Sequence, residues 1–296
     1  MKRLLPILCL LIALGNAQAE TLTLTHQGLQ VSAELERAGD DWKAGPVILM
    51  LHGTLAHNRM EIITTLQQAF RERGYSSLAV NLSLGQSQRE GMYDCAAPHR
   101  HLHTDAVDEV GLWLDWLKGQ GVQSIVLFGH SRGGNQIARY AAAHDSAPIR
   151  SLVLAAPQTW SAGYDEKNYQ TRYGKPLAAE LKKAEALVAK GQGDTLLQPV
   201  DFIYCPQTTA TAAAFLSYHK PDPRMDTPTV LREVRKPVLV IAGGDDTTVR
   251  DLPQKMAEVQ PGKHAQLVTI DGADHFFLDL YAEELADAAV AFIEAH

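Results

Sequence analysis

The chain has 296 residues, 46% hydrophobic and 21% charged, the composition of a soluble globular protein with a sizeable core and room for one large α/β domain or two small ones. Its formal net charge of −7, with no Lys/Arg-rich run, argues against nucleic acid as a partner.

The N-terminus reads as an export leader. Lys2 and Arg3 form a positive start, Leu4 to Leu14 an apolar run, and Asn16-Ala17-Gln18-Ala19 ends in the small-x-small pattern of a cleavage site. Cleavage is expected after Ala19, leaving residues 20–296 as the folded domain. A permanent membrane anchor is the alternative, but the apolar run is shorter than the ~20 residues a span needs. Cys9 lies inside that run, followed by Leu10 and Leu11, so it is not read as a lipidation site. Removal of the leader leaves Cys95 and Cys205. In an oxidising compartment such a pair suggests one disulfide, with two unrelated buried thiols as the alternative.

Thr21 to Thr25 alternates with period two and Leu29 to Leu35 follows Gly28, which predicts a hairpin of edge strands. Pro46 to Leu51 is a continuous apolar run, as a strand buried on both faces of a parallel sheet requires. A helix is predicted over Met60–Arg73 and a strand over Ser77–Asn81, then a loop from Leu82 to His103. Thr104 is the expected cap of a helix whose first turn carries Asp105, Asp108 and Glu109. Strands follow at Ser124–Phe128, Arg150–Ala155, Pro237–Ala242 and His264–Ile270, with a last helix from about Asp279 to Glu294. Strands alternating with helices predict an α/β fold with a doubly wound, mostly parallel sheet. The alternation stops between about residues 160 and 231. That stretch holds an amphipathic helix at Lys175–Lys190, an Ala-rich helix at Thr208–Tyr218 and several prolines, and is read as a mobile helical cap inserted in the sheet.

Gly129-His130-Ser131-Arg132-Gly133 sits between a predicted strand and a predicted helix, the context of a nucleophile elbow. A serine on such a sharp turn has strained dihedrals, and flanking glycines let strand and helix approach without Cβ clashes. The helix N-terminus behind it offers unpaired N–H groups to a developing oxyanion. Three further segments each follow the C-terminal end of a predicted parallel strand, where open α/β sheets place their sites: His52-Gly53-Thr54-Leu55, Gly243-Gly244-Asp245-Asp246, and Gly272-Ala273-Asp274-His275-Phe276-Phe277.

In these segments the chain resembles the α/β-hydrolase superfamily, over residues 45–160 and 235–296 and in the family's order of Ser, Asp, His. The resemblance implies a Ser131 nucleophile, a His275 general base and a carboxylate after the seventh strand. It likens His52-Gly53 to the family's oxyanion loop, and its Gly-x-x-Asp pattern favours Asp246, with Asp245 as the rival. Asp274 adjoins His275, but neighbouring side chains on an extended loop diverge. After the strand ending at Ala155 comes Ala156-Pro157-Gln158, with no carboxylate. The chemistry agrees: a serine hydroxyl needs a base of pKa near ~6.5, and a carboxylate fixes the imidazole tautomer. The oxyanion donors are expected to be the backbone N–H groups of Arg132 and of Thr54 or Leu55.

His99, His101 and His103 alternate near Asp94 and Cys95, which raises a metal site. Without a HExxH or paired CxxC pattern, substrate contact or hydrogen bonding of the loop is preferred, and no metal is expected. Arg132 is expected to pair with a carboxylate beneath its helix or, alternatively, to face an acidic substrate. Trp113 and Trp116 are assigned to packing, and Trp160, Tyr164, Tyr169 and Tyr173 either to packing or to an acyl pocket. The sequence thus reads as an exported serine hydrolase cleaving a small-molecule carboxylic ester through an acyl-enzyme, without a cofactor and without a stable membrane anchor. A serine peptidase or amidase, and a non-catalytic binding protein retaining the fold, are the alternatives.

Overall fold

The apolar run at residue 47 becomes β3 (Val47–Leu51), all five residues buried, and lies near the middle of an eight-stranded sheet. The structure is a computed structural model that describes residues 19–296; residues 1–18, most of the expected leader, lie outside the described residues. Ahead of β3, the alternating segments form the antiparallel hairpin β1 (Glu20–His26) and β2 (Leu29–Glu36). Behind it come α1 (Glu61–Glu72), β4 (Ser76–Asn81), α2 (Asp105–Gly119), β5 (Ile125–His130), α3 (Arg132–Ala143) and β6 (Ile149–Ala155).

A long insertion follows, comprising α4 (Ala162–Tyr173), α5 (Leu177–Val188), β7 (Leu196–Phe202), β8 (Cys205–Thr211), α6 (Ala212–His219), a short 3₁₀ turn and α7 (Thr227–Leu231). The chain then completes the sheet with β9 (Val238–Gly243), α8 (Leu252–Val259), β10 (Ala265–Ile270) and α9 (Leu280–Ala295). The strand order is β1-β2-β4-β3-β5-β6-β9-β10. The six strands from β4 to β10 in that order run parallel, while β2 joins β4 antiparallel. Helices α1 and α9 pack together, as do α2 and α3, in the doubly wound arrangement expected. Leu49 stands opposite both Leu78 and Leu127, and the Phe70 ring meets Phe128 edge-on at 6.3 Å, so the sheet and its helices share one dry core.

Three local expectations change. The Thr104 side chain makes no capping hydrogen bond; Asp105 instead accepts one from the Leu102 N–H at 2.7 Å. The helix expected from Thr208 begins only at Ala212, because the β-branched Thr208 and Thr211 pair with β7 in an antiparallel hairpin. Thr211 then caps the shortened helix, its hydroxyl accepting from the Ala214 N–H at 3.1 Å. The aromatic stretch after Ser161, given no element in the sequence reading, forms α4. Around the β7–β8 hairpin the insertion builds its own small core of Tyr169, Leu177, Val200, Phe202 and Phe215.

The loop after β4 is tied to this insertion. His99 pairs with β8, its N–H donating to Thr209 O at 2.8 Å and its carbonyl accepting from Thr211 N at 2.9 Å. The Thr208 hydroxyl donates to Cys95 O at 2.6 Å, and Cys95 and Cys205 form a disulfide across a sequence separation of 110. A loop of that length corresponds to about 4–5 kcal/mol in the chain-entropy view of a crosslink. Reduction, or the double change Cys95→Ser and Cys205→Ser, should therefore lower the denaturation midpoint clearly; equal midpoints for oxidised and reduced protein would refute the estimate. Among the described residues no helix is long and apolar enough to cross a membrane.

Candidate active site

Ser131 occupies the turn from β5 into α3 with φ 56° and ψ −123°, a conformation that costs a non-glycine residue about 1–3 kcal/mol. Its neighbours hold it there. A Cβ on Gly129 would stand 2.7 Å from Gly133 O, and one on Gly133 would overlap His52 O, so only glycines permit the close packing of strand, helix and oxyanion loop. The Ser131 N–H donates to Ala155 O at 2.9 Å, and Gly134 N and Gln158 N each donate to Ser131 O at 3.0 Å.

The His275 loop beyond β10 and the Asp246 turn beyond β9 meet the elbow. Ser131 Oγ lies 2.9 Å from His275 Nε2, and His275 Nδ1 lies 2.8 Å from Asp246 Oδ2. With the imidazole neutral, Nδ1–H donates to the carboxylate and Nε2 accepts the serine proton. The other Asp246 oxygen accepts from the N–H groups of Thr248 at 2.6 Å and Val249 at 3.0 Å. Burial alone would raise this carboxyl, but the His275 hydrogen bond and charge, with the two amides, outweigh it and hold the acid below its ordinary value. Asp245 is exposed and Asp274 uses its carboxylate to accept from Phe276 N and Phe277 N, so Asp246 alone of the three meets His275. His130, kept neutral by burial with its pKa lowered to about 4, donates from Nε2 to His275 O at 2.8 Å and so fixes the histidine loop.

Thr54 stands in the loop that leaves β3. Its hydroxyl accepts from Arg132 Nε at 3.0 Å and its carbonyl from Tyr204 OH at 2.6 Å, while Leu55 takes φ 52°. The Arg132 N–H is the first of α3 and has no partner within the helix. Beneath the loop, His52 receives the Leu82 N–H on Nε2 at 3.1 Å and holds Gly53 O through Nδ1 at 3.0 Å. Burial lowers its pKa to about 3, which preserves that tautomer. Arg89 closes the brace by donating to Leu82 O and to Asn81 Oδ1, both at 2.7 Å.

A cavity of about 410 Å³ opens over Ser131, with Thr54, Arg132 and His275 in its wall, and a second hollow of about 340 Å³ shares Ser131 and Arg132 with it. The roof is α4, whose Asp165, Asn168, Tyr169, Arg172 and Tyr173 follow each other at i, i+3, i+4, i+7 and i+8 and all line the cavity. Tyr169 and Tyr173 therefore belong to both the pocket and the packing of the insertion, while Trp160 and Tyr164 border the second hollow. The helical spacing of that stripe was present in the sequence and marks residues that the sequence reading passed over, Asp165, Asn168 and Arg172. Tyr218, also in the wall, carried no signal in an Ala-rich segment.

Geometry also places the three histidines, Arg132 and the two tryptophans. His99, His101 and His103 are buried behind the pocket wall: His101 Nδ1 lies 2.8 Å from Tyr218 OH, and His103 N donates to Ser217 Oγ at 2.6 Å. They fix the loop to α6 and do not line the cavity, so the substrate-contact reading fails. Among the described residues no group of three or more His, Cys, Asp or Glu side chains could hold a metal ion. Among the described residues Arg132 does not pair with a carboxylate beneath its helix; its guanidinium lies over the Tyr218 ring, 5.1 Å from the centroid. Trp113 and Trp116 pack edge-on at 6.2 Å, with Trp113 fully buried, as expected.

Sheet order, elbow and loop placement define the class, and residues 48–288 match the model of the Alpha/beta hydrolase family. The chain belongs to that family. Among solved structures it is similar to Est1E from Butyrivibrio proteoclasticus, at 18% identity and a TM-score of 0.63 over 93% of this chain and 99% of that one. The same protein with ferulic acid bound gives 19% identity and a TM-score of 0.65, covering 92% of this chain and 99% of that one. An esterase from Pyrococcus furiosus gives 16% and 0.63, covering 95% of this chain and 91% of that one. At these identities the likeness is one of fold.

Proposed function

We propose that this chain is an exported serine hydrolase that cleaves small-molecule carboxylic esters through an acyl-enzyme. Ser131 is the nucleophile, His275 the base and acid, Asp246 the carboxylate that orients it, and the backbone N–H groups of Arg132 and Thr54 the oxyanion donors. The observation that carries this reading is the unbroken hydrogen-bonded series Ser131–His275–Asp246 at a strained elbow, open to a cavity. Ser131 Oγ attacks the ester carbonyl while its proton passes to His275 Nε2. The tetrahedral oxyanion is met by the two amides, and each such donor contributes about 3 kcal/mol to the transition state. Collapse expels the alcohol, which takes the proton from His275. Water then adds to the acyl-serine, giving its proton to the same nitrogen, and the acid leaves as Ser131 regains its hydrogen. Water is the one co-reactant this balance needs. Esterase structures of the same fold support the ester reading, and the leader pattern together with the Cys95–Cys205 bond supports export.

The test is covalent labelling by a fluorophosphonate, combined with turnover of a 4-nitrophenyl ester and the matching 4-nitroanilide. Labelling at Ser131 and ester turnover at least 100-fold above the anilide are expected. Failure to label would make the chain a binding protein, and equal turnover of the anilide would make it an amidase.

A further inference from the structure

The Arg132 side chain is not explained by the reaction, which uses only its backbone N–H. Its guanidinium stands in the wall shared by the cavity and the second hollow, beside Ser131. Nε is engaged by Thr54 Oγ1 and the flat face by Tyr218, so the group is held in one place. Nη1 is shut off from solvent yet has no hydrogen-bond partner, and no carboxylate lies within ion-pair distance of the group among the described residues. A fixed guanidinium without a counter-charge is costly unless an acceptor arrives beside it. The charged groups facing this space are few. Arg172 on α4 adds a second cation at the roof, and Asp165, two helical turns before it, is the nearest carboxylate in charge effect on Arg132. Burial pushes the Asp165 acid up to about 6 against the pull of the arginine, and the group that stands 4.0 Å from its carboxylate is His219 Nδ1. The histidines behind Tyr218 are neutral through burial and supply no counter-charge.

Resting on the hydrolase reading above, we infer that the substrate is an ester carrying a carboxylate, and that the Arg132 guanidinium, in the cavity wall beside Ser131, receives it. Arg132 then has two separate duties at one position, its amide facing the oxyanion and its side chain reading the charge of the molecule being cut. A planar, fixed guanidinium suits a carboxylate better than a lysine ammonium would.

The experiment compares esters that differ only in this charge, at pH 8 so that Asp165 is ionised. On the acyl side the pair is 4-nitrophenyl hydrogen adipate and its methyl ester; on the alcohol side it is 4-acetoxybenzoate and its methyl ester. A preference in kcat/KM of at least tenfold for the carboxylate on one arm, carried mainly by KM, is expected; less than tenfold on both arms overturns the inference. Arg132→Gln should bring the ratio to near one whatever its absolute rate, and retention of the ratio would overturn the assignment to this residue. Asp165→Asn, which removes the opposing charge, should raise the ratio at least threefold; an unchanged or lower ratio counts against it. A readout free of turnover separates the two readings. Monomethyl adipate should raise the Tm of the Ser131→Ala protein and dimethyl adipate should not, even if no ester were hydrolysed; equal shifts would sink the anion site.

Discussion

Replacement of Ser131 by alanine is expected to lower kcat on a simple aryl ester by about 10⁴- to 10⁶-fold, and His275→Ala by a similar factor. The double variant should be little worse than either, because nucleophile and base act as one unit and removal of either disables the same step. Asp246→Asn should cost about 10³- to 10⁴-fold, since an amide can donate to Nδ1 and favour the wrong tautomer. Asp245→Asn should leave the rate within a few-fold, its side chain being exposed. The residual rate in each variant comes from the oxyanion amides and substrate binding, which none of these changes touches. Steady-state kinetics with protein shown to be folded decides the matter. Full activity in Ser131→Ala ends the nucleophile assignment, and a reversed order of the two aspartates moves the acid by one residue. The 2.8 Å contact from His275 to Asp246 is the reason for ranking them as we do.

The parts of this molecule that were legible in the sequence are those with short-range signals. Val47 to Leu51 reads as a buried strand because both of its faces are covered, and the elbow reads as an elbow because Gly129 and Gly133 have to admit backbone atoms of their neighbours. Asp246, His275 and Ser131 each follow the end of a parallel strand, so the sheet alone brings these distant residues together. The insertion was less legible because its hairpin depends on partners. Thr208 and Thr211 lie in an Ala-rich run whose helix propensity dominates until pairing with β7 and with His99 claims the backbone of residues 205–211. Tyr218 and Asp165 acquire their place from the packing of α6 and α4 over the elbow, which no local pattern encodes. The braces under the oxyanion loop, His52, Arg89 and Asn81, are likewise long-range and were invisible as a set.

Six buried histidines should make the fold strongly acid-sensitive. Burial holds His52, His101 and His219 at about 3, His99 and His130 at about 4, and His103 well below its ordinary value. Nearby cations add to this, Arg89 against His52 and His101, and Arg132 against His101, His103 and His219. In the unfolded chain each would titrate near ~6.5. The folded state therefore binds fewer protons than the unfolded state once the pH falls below about 6.5, so the stability these groups contribute is complete above that value and is lost as the pH drops toward about 4. Four carboxyls oppose the trend: burial raises Glu36 and Asp105 and pushes Glu109 and Asp165 up to about 6, so these take protons in the folded state first. Six histidines less the two acids at about 6 leaves a net uptake of at most about four protons on unfolding near pH 5. At ~1.4 kcal/mol per proton per pH unit, the loss between pH 6.5 and 5 reaches several kcal/mol, comparable with the whole ~5–15 kcal/mol stability of a domain. Urea midpoints measured from pH 7.5 to 4.5 should thus fall steeply below 6.5, whereas a flat profile down to pH 5 would contradict the neutral burial of these rings. The loss should begin where His99, His101 and His103 fasten the loop to β8 and α6, since the Tyr218 face that holds Arg132 rests on the same rings. The Cys95–Cys205 bond should keep the loosened segments together and make the change reversible on return to neutral pH.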